Sequence, residues 1–202
     1  SPGSATHGSI AGLCAPIDLT QSVDPNTIVG NSVACFNQAD NCTVDNAFAR
    51  SFNLGVGPTA GQSHYVRCVE YGVDDALGAN PVTIALYQDT NGGPPNNANL
   101  VLLASITDVI PGGTQLALRT VDFTAMNVVV PANAFLVVAV DSPDLCGTVG
   151  YNNHYWNGYN NLGETAPSYW KSAQCGRADY LSLADIGQPN QHMVLTVGLK
   201  ST

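Results

Sequence analysis

Short alternations of apolar and polar residues recur along most of the chain, and turn-forming residues separate them. Residues 82–87 alternate strictly, and Asn, Gly and Pro then dominate residues 89–95. The same period of two returns near the C-terminus, where Leu195, Val197 and Leu199 alternate with small or polar residues. Short segments with this period are typical of strands in an antiparallel β-sandwich. The pattern therefore predicts an all-β fold.

One segment departs from this alternation because it is apolar on both faces. It runs from Phe135 to Val140, and such a run is typical of a central strand with neighbours on both sides. Further strands are predicted at residues 47–54, 65–73, 100–106, 116–122 and 128–130. Roughly eight to ten strands in total suffice for a two-sheet antiparallel, jelly-roll-like β-sandwich. One short helix is predicted near residues 181–186.

Residues 1–12 differ from the rest of the chain. They are rich in Gly, Ser and Ala and show no periodic pattern, so they are predicted to form a flexible-looking N-terminal arm. Residues 13–202 contain no linker and no internal repeat and are predicted to form a single β-sandwich domain. The arm packs either on its own domain or on a neighbouring subunit.

Charge is sparse in this chain and acidic overall. Charged residues make up 10% of the sequence, and the formal net charge is −9. The six Lys and Arg residues are scattered singly, which argues against nucleic acid as a partner, because phosphate binding requires clustered positive charge. No apolar run reaches the ~18 residues that cross a membrane, so no membrane insertion is expected.

Six cysteines indicate a disulfide-stabilised, secreted protein. They are Cys14, Cys35, Cys42, Cys68, Cys146 and Cys175, and none forms a C-x-x-C pair. Many pairings are possible; we predict Cys35 with Cys42, Cys146 with Cys175, and Cys14 with Cys68. The alternative is a cytosolic protein with buried free thiols. Asn41 begins an Asn-Cys-Thr triplet, which fits an N-glycosylation acceptor.

Several segments together resemble a known group of domains. These segments are 82–87, Gly92-Gly93-Pro94-Pro95, 100–103, Val130-Pro131-Ala132, 166–170, Gln174-Cys175-Gly176 and 192–195. Over residues 47–200 the chain resembles secreted bacterial jelly-roll-like β-sandwich domains, which are often appended to extracellular proteins and mostly have no assigned function. The resemblance implies secretion and a non-catalytic role, although sandwich folds host many functions.

The sequence contains no motif for nucleophilic or metal-dependent catalysis. It lacks both G-x-S-x-G and H-E-x-x-H. Glycoside hydrolysis needs two suitably spaced carboxylates, and the only glutamates are Glu70 and Glu164. We therefore expect no catalytic residues, and a secreted hydrolase is the less favoured alternative.

Acidic turn residues predict a structural calcium ion, because Ca²⁺ binds carboxylate and amide oxygens. The candidate ligands are Asp89 with Asn91, and Asp74 with Asp75. None of them matches the spacing of an EF-hand. The alternative for residues 89–92 is a hairpin turn without a metal.

The densest feature of the sequence is a group of aromatic and amide side chains between residues 151 and 180. It holds seven of the ten Tyr and Trp residues. The candidate contact residues are Tyr151, Asn153, Tyr155, Trp156, Tyr159, Tyr169 and Trp170. Aromatic rings stack on sugars and dominate protein contacts, so both a neutral glycan site and a protein interface fit. The alternative is that these rings pack a long loop onto the sheet.

Two non-catalytic functions follow from these features. The first is an extracellular structural or adhesive protein that assembles with copies of itself as a filament, sheath or surface layer. The low charge favours it, because a soluble monomer usually has more charge on its surface. The second is a carbohydrate-binding module that recognises a neutral extracellular glycan through the aromatic residues.

Overall fold

The structure is a computed structural model, and it describes residues 5–6, 16–147 and 153–202. The chain is nearly all β, with 55% strand and 5% helix. The helices of the described residues are the single 3-10 turns Gly57–Thr59, Asn97–Asn99 and Thr124–Met126, and none is long and apolar enough to cross a membrane. The strands of the described residues are, in chain order, β1 (Ala5–Thr6), β2 (Ile17–Thr20), β3 (Thr27–Ile28), β4 (Phe36–Asn37), β5 (Cys42–Thr43), β6 (Asn46–Asn53), β7 (His64–Leu77), β8 (Asn80–Asp89), β9 (Leu100–Ile110), β10 (Thr114–Asp122), β11 (Val129–Val130), β12 (Phe135–Ser142), β13 (His154–Asn157), β14 (Tyr159–Asn160), β15 (Tyr169–Ser172), β16 (Arg177–Ser182), β17 (His192–Met193) and β18 (Leu195–Ser201).

Two antiparallel six-stranded sheets make up the sandwich. Sheet I has the order β10-β7-β18-β2, and β11 and β13 also pair with β7. Sheet II has the order β16-β15-β6-β12-β8-β9. Short pairs β1-β3, β4-β5 and β14-β17 lie outside these sheets. The prediction of an all-β, two-sheet antiparallel sandwich is confirmed.

The central strand of sheet II is β12, as predicted. It pairs with β6 on one side and with β8 on the other. Leu136, Val138 and Val140 point into the core between the sheets and are fully buried. Val137 and Ala139 point to the opposite face and are buried there as well. Burial on both faces explains why this segment is apolar throughout.

One arginine is completely buried beside the core. The Nη1 of Arg50 on β6 donates to Glu164 Oε2 at 2.7 Å and to the Ala166 carbonyl at 2.7 Å, and its Nε donates to the Met193 carbonyl at 3.1 Å. The Ser168 hydroxyl donates to the same Glu164 oxygen. Burial lowers the pKa of Arg50, and Glu164 opposes that shift. The network anchors the segment that leads into β15.

The predicted helix at residues 181–186 is wrong. Residues 181–182 end β16, and residues 183–187 form turns. The Ser182 hydroxyl accepts the Asp185 N–H, and Gly187 has a φ of 86°. Side-chain hydrogen bonds of this kind compete with helix formation, and so short a segment does not offset the cost of helix nucleation.

Two disulfides join parts of the chain that are distant in sequence. They are Cys35–Cys175 and Cys42–Cys146, so the predicted pairings Cys35–Cys42 and Cys146–Cys175 are wrong. The β4-β5 hairpin sets Asn37 opposite Cys42, which leaves Cys35 two residues out of register with Cys42. Such diagonal neighbours lie ~7–8 Å apart, which is too far for a disulfide. Each cysteine therefore bonds to a different loop.

The remaining cysteines and the N-terminal arm are only partly described. Cys68 also takes part in a disulfide, while Cys14, its predicted partner, lies outside the described residues. Within the predicted arm, the backbone of Ala5–Thr6 pairs with Thr27–Ile28 of the same chain. This part of the arm therefore contacts its own domain.

Candidate functional site

The long strand β7 organises the candidate site by changing its pairing partner along its length. β18 pairs with its first part and β13 with its last part. At the change, the Gly72 N–H donates to the Val194 carbonyl and the Gly158 N–H donates to the Gly72 carbonyl. A Cβ on Gly158 would lie 2.3 Å from the carbonyl carbon of Gly72. Only glycine permits this approach.

A β-bulge in β7 follows this crossing and involves Asp74. Trp156 of β13 pairs with Asp75, and Asn157 pairs with Val73, so Asp74 is an extra residue between them. A bulge of this kind breaks the alternation of faces and redirects a side chain. Asp74 and Asp75 would point to opposite faces of a regular strand, whereas here both line the same cleft.

This cleft is the candidate functional site. Asn31, Ser32, Asp74, Asp75 and Trp156 line it, and its volume is about 400 Å³. We call these five residues the acidic–aromatic cleft. Its size lies in the range of small-molecule sites, ~300–1,000 Å³. The cleft joins one pair of predicted calcium ligands with one of the predicted aromatic contact residues, which the sequence had placed in separate features.

Neighbouring rings hold the indole of Trp156. The ring centroid of Phe36 lies 5.3 Å from that of Trp156 at an interplanar angle of 38°, and the His154 ring lies at 6.3 Å and 57°. Trp156 itself is half-buried. Its indole is therefore fixed in orientation and retains exposed surface at the cleft.

Hydrogen bonds orient the Asp75 carboxylate from both sides. Its Oδ2 lies 2.7 Å from His154 Nε2, and Gln115 Nε2 donates to its Oδ1 at 3.1 Å. Asp75 is partly exposed. Two partners on opposite oxygens leave this side chain little freedom to rotate.

Asp74 is more deeply buried, with 9% of its surface exposed. Its Oδ2 accepts the Ser32 N–H at 2.9 Å, and no Lys or Arg among the described residues forms an ion pair with it. Burial raises the pKa of the Asp74 carboxyl above its ordinary value. The Ser32 N–H opposes this rise, Asp75 adds to it, and His154 opposes it.

The loop that carries Asn31 and Ser32 was not predicted to belong to the site. The Tyr159 hydroxyl donates to the Gly30 carbonyl, and Gln191 Nε2 donates to the Asn31 carbonyl. Asn31 has a φ of 72°, a left-handed conformation that asparagine tolerates. The Gly-Asn-Ser sequence indicates a turn, but nothing in it specifies the strand over which the turn lies.

The other predicted contact residues do not form one surface with Trp156. Tyr155 is fully buried in the core because alternation along β13 turns it inward, and burial raises its pKa well above the ordinary value. Trp170 is also in the core, where its Nε1 donates to Asn46 Oδ1 at 2.9 Å. The prediction that Tyr155 and Trp170 are contact residues is therefore wrong. Tyr151 lies outside the described residues.

Two further predicted contact residues have structural partners. Tyr159 is buried and holds the Gly30 loop. The Asn153 carbonyl accepts the Thr43 N–H, and Asn153 does not line the cleft. Tyr159 therefore supports the loop that carries Asn31 and Ser32, and Asn153 is hydrogen-bonded to β5.

Tyr169 lies with Tyr180 on the outer face of sheet II, and both are buried there. The small residues beneath them are Ala47, Ala49, Ala85, Val137 and Ala139. The turn that contains Asn97 covers this face. Asn97 Nδ2 donates to the Ala178 carbonyl at 2.8 Å, and Lys171 Nζ donates to Asn97 Oδ1 at 2.7 Å. We call this covered region the closed face.

The other predicted calcium ligands, Asp89 and Asn91, form a turn. Asp89 Oδ1 accepts the N–H groups of Asn91 and Gly92 at 2.9 and 3.1 Å, which is the hairpin-turn alternative. Within the described part of the chain, no group of three or more His, Cys, Asp or Glu residues is arranged to hold a metal. A structural calcium ion at Asp89 with Asn91, or at Asp74 with Asp75, stays a prediction.

The remaining sequence candidates occupy other places. Asn41 is exposed in the turn of the β4-β5 hairpin, and its glycosylation stays a prediction. Of the two glutamates considered for hydrolysis, Glu70 is buried on β7. Glu164 is engaged by Arg50 and Ser168.

Comparison with known proteins finds no matching family model and no significant match among curated proteins. A solved structure is similar in fold: the cysteine protease and lectin-like domains of a surface layer associated protein of Clostridium difficile. The TM-score is 0.56 and the sequence identity 15%, over 79% of this chain and 33% of that one. This chain therefore spans about a third of the chain in that structure, and the likeness shows the fold.

Proposed function

We propose that the protein is a secreted, non-catalytic adhesive module that binds a glycan in the acidic–aromatic cleft. The observation that carries this proposal is the position of Trp156. Its fixed, half-buried indole lies in the same cleft as two carboxylates and Asn31.

The chemistry of the cleft matches that of a sugar. A pyranose ring has an apolar C–H face that stacks on an aromatic ring, and its hydroxyl groups donate to carboxylate and amide oxygens. Phe36 and His154 hold the indole, while Ser32 and Gln115 hold the carboxylates. A site oriented before the ligand arrives loses less entropy on binding.

Two observations support an extracellular location. Disulfides are typical of oxidising compartments, and this chain has at least the two that join Cys35 to Cys175 and Cys42 to Cys146. The similar solved structure includes a lectin-like domain of a surface layer associated protein. Secretion of this chain and its glycan binding are extensions of these observations.

A glycan array probed with the wild type and Trp156→Ala tests the proposal. Loss of an aromatic stacking partner weakens binding by about 10-fold or more. Tyr87→Ala is the matched control, because Tyr87 is a half-buried aromatic residue on sheet II. The proposal fails if no glycan binds, or if Trp156→Ala binds as the wild type does.

A second candidate function, self-assembly, is favoured by one specific feature. β9 is one of the two edge strands of sheet II, and Val101, Leu102 and Val109 are 52%, 56% and 57% exposed on it. The strand has no Lys, Arg or Pro, residues that commonly protect sheet edges from pairing. Its one charge, Asp108, is bound by Arg119 and by the Tyr71 hydroxyl.

The partner in this second candidate is another copy of the chain. Antiparallel pairing of β9 with itself about Ser105 would set the exposed Val101 opposite the exposed Val109. Sedimentation velocity over a range of concentrations tests it. Val109→Lys is expected to abolish association, while Val129→Lys on β11 adds the same charge at an exposed valine elsewhere. A wild type that stays monomeric at all concentrations contradicts self-assembly.

A further inference from the structure

We infer that the glycan carries a protonated amine, so that the acidic–aromatic cleft recognises a de-N-acetylated amino sugar in preference to a neutral one. The inference deepens the proposed function and rests on it. It also departs from the neutral glycan that the sequence predicted.

The first step of the argument is the charge of the cleft. Two adjacent carboxylates line it, and its other lining residues, Asn31, Ser32 and Trp156, carry no charge. Among the described residues, His154 is the titratable side chain that contacts them, and its Nε2 lies 2.7 Å from Asp75 Oδ2. With a chain net charge of −9, the cleft attracts a cation and repels sialic or uronic acids.

The second step is the unmet electrostatic requirement of Asp74. Asp74 as a residue is about nine-tenths buried, and its one described hydrogen bond is the Ser32 N–H on Oδ2. Burial of a carboxylate is unfavourable unless an opposite charge or several donors compensate for it. Asp75 already has His154 and Gln115 as partners. Of the two cleft carboxylates, Asp74 is therefore the one with a single hydrogen-bond partner among the described residues.

The third step is the position of the indole. Trp156 lies opposite Asp75 in the β13-β7 ladder. Asp74 is the residue that precedes Asp75 on β7. A ligand that stacks on the indole thus brings its ring substituents close to the carboxylates. A protonated amine on that ring donates charge-assisted hydrogen bonds, which are about twice as strong as neutral ones, and the indole face adds a cation–π attraction.

Three trisaccharides with the same β-1,4-linked backbone separate charge from shape. They are the glucosamine trimer, its fully N-acetylated form and cellotriose, which differ at C2 as amine, acetamide and hydroxyl. Titration calorimetry at low salt is expected to show the glucosamine trimer binding about 10-fold or more tightly than the other two. The preference is expected to shrink as salt is added, because salt screens partly exposed charges.

Asp74→Asn is the diagnostic variant. The amide oxygen still accepts the Ser32 N–H, so the loop stays anchored while the charge is removed. We expect the variant to bind all three trisaccharides with similar affinity, and Trp156→Ala to weaken all three. Asp185→Asn removes one charge at an exposed position and is expected to keep the wild-type preference.

The outcomes distinguish this inference from the proposed function. Equal binding of the three sugars by the wild type, or an amine preference that survives in Asp74→Asn, overturns the inference and leaves glycan binding intact. Binding of none of them, together with an empty glycan array, removes both. If Asp74→Asn fails to fold, the salt dependence of the wild type decides, and a preference unaffected by salt contradicts the inference.

Discussion

The outer faces of the two sheets both carry aromatic side chains, yet they differ in access to solvent. On the closed face, Tyr169 and Tyr180 lie beneath the Asn97 turn, which is hydrogen-bonded to β15 and β16. On sheet I, the bulge at Asp74 and the Gly30 loop leave a cleft beside Trp156. Aromatic side chains therefore pack into the protein on the closed face, whereas at the acidic–aromatic cleft an aromatic side chain is accessible to a ligand.

The neighbouring backbone causes this difference. The turn that follows β8 folds back over sheet II, so the rings beneath it behave as a second small core. The loop at residues 29–32 is instead held at the side of β7 by Tyr159 and Gln191. The two faces therefore depend on different contacts, and a substitution that disturbs the contacts of one face is expected to leave the other face intact.

The largest expected effect comes from removing the disulfides one at a time. Cys42–Cys146 joins the β4-β5 hairpin to the segment that precedes β13 in the chain. Cys35–Cys175 joins the start of the same hairpin to the β15-β16 turn beside the closed face. The bonded residues are separated by 104 and 140 positions. In the chain-entropy model each double Cys→Ser variant then loses about 4–5 kcal/mol of unfolding free energy, measured by denaturant titration.

Hydrogen exchange localises the damage in these two variants. Without Cys42–Cys146, amide protection is expected to fall mainly in β13. Without Cys35–Cys175, it is expected to fall mainly in β15 and β16. The same protection pattern in both variants would contradict separate support for the two faces.

The next effect concerns the close contact that positions β13. Gly158→Ala forces a Cβ against the Gly72 backbone, and we expect a loss of about 3 kcal/mol or more, because backbone cannot move aside cheaply. Gly30→Ala is the control beside the same cleft: its Cβ would meet Asp74 Oδ1 at an ordinary 3.7 Å. Thermal unfolding of both variants checks this, and equal losses would contradict the account.

A smaller effect is expected from opening the closed face. Asn97→Ala removes the side-chain bonds to Ala178 and Lys171, at a cost of about 1 kcal/mol. Burial raises the pKa of Tyr180. Loosening the Asn97 turn is therefore expected to lower that pKa toward the ordinary value, as measured by spectrophotometric titration. Asn99→Ala in the same turn is the control, and an unchanged tyrosine titration in Asn97→Ala would show that this turn does not cover the face.

The smallest effect is the pH dependence contributed by Asp74. Because burial raises its pKa, the folded state holds this proton more tightly than the unfolded state does. Asp74 therefore lowers stability as pH rises from the ordinary aspartate pKa through the raised value. Asp74→Asn is expected to remove this decline in the unfolding free energy and to be at least as stable as the wild type at neutral pH. A wild-type profile parallel to that of the variant would contradict the assignment.

The sequence predicted the sandwich because strand alternation is a local signal. The apolar run from Phe135 to Val140 could be assigned to a central strand, since both of its faces are buried. The disulfide pairing could not be predicted, because it depends on the register of the β4-β5 hairpin and on loops that are distant in the sequence.

The candidate site was predictable only in pieces. Trp156, Asp74 and Asp75 were singled out by residue type, but their meeting depends on a one-residue bulge that no sequence pattern marks. The alternation of faces along β13 places Tyr155 and Trp156 on opposite faces of the sheet, and this local signal is enough to assign one of the two rings to the core. Asn31 and Ser32 join the cleft through tertiary contacts alone.

The most direct test of the central claim uses the two tryptophans as internal probe and control. The chain has two Trp residues, so a nitrogen–proton correlation spectrum shows two indole signals, which Trp156→Phe assigns. During titration with the glucosamine trimer, its N-acetylated form and cellotriose in turn, we predict that the Trp156 indole signal shifts while that of the buried Trp170 stays in place. A titration in which the Trp156 signal never moves, or in which the Trp170 signal moves instead, would contradict glycan binding in the acidic–aromatic cleft.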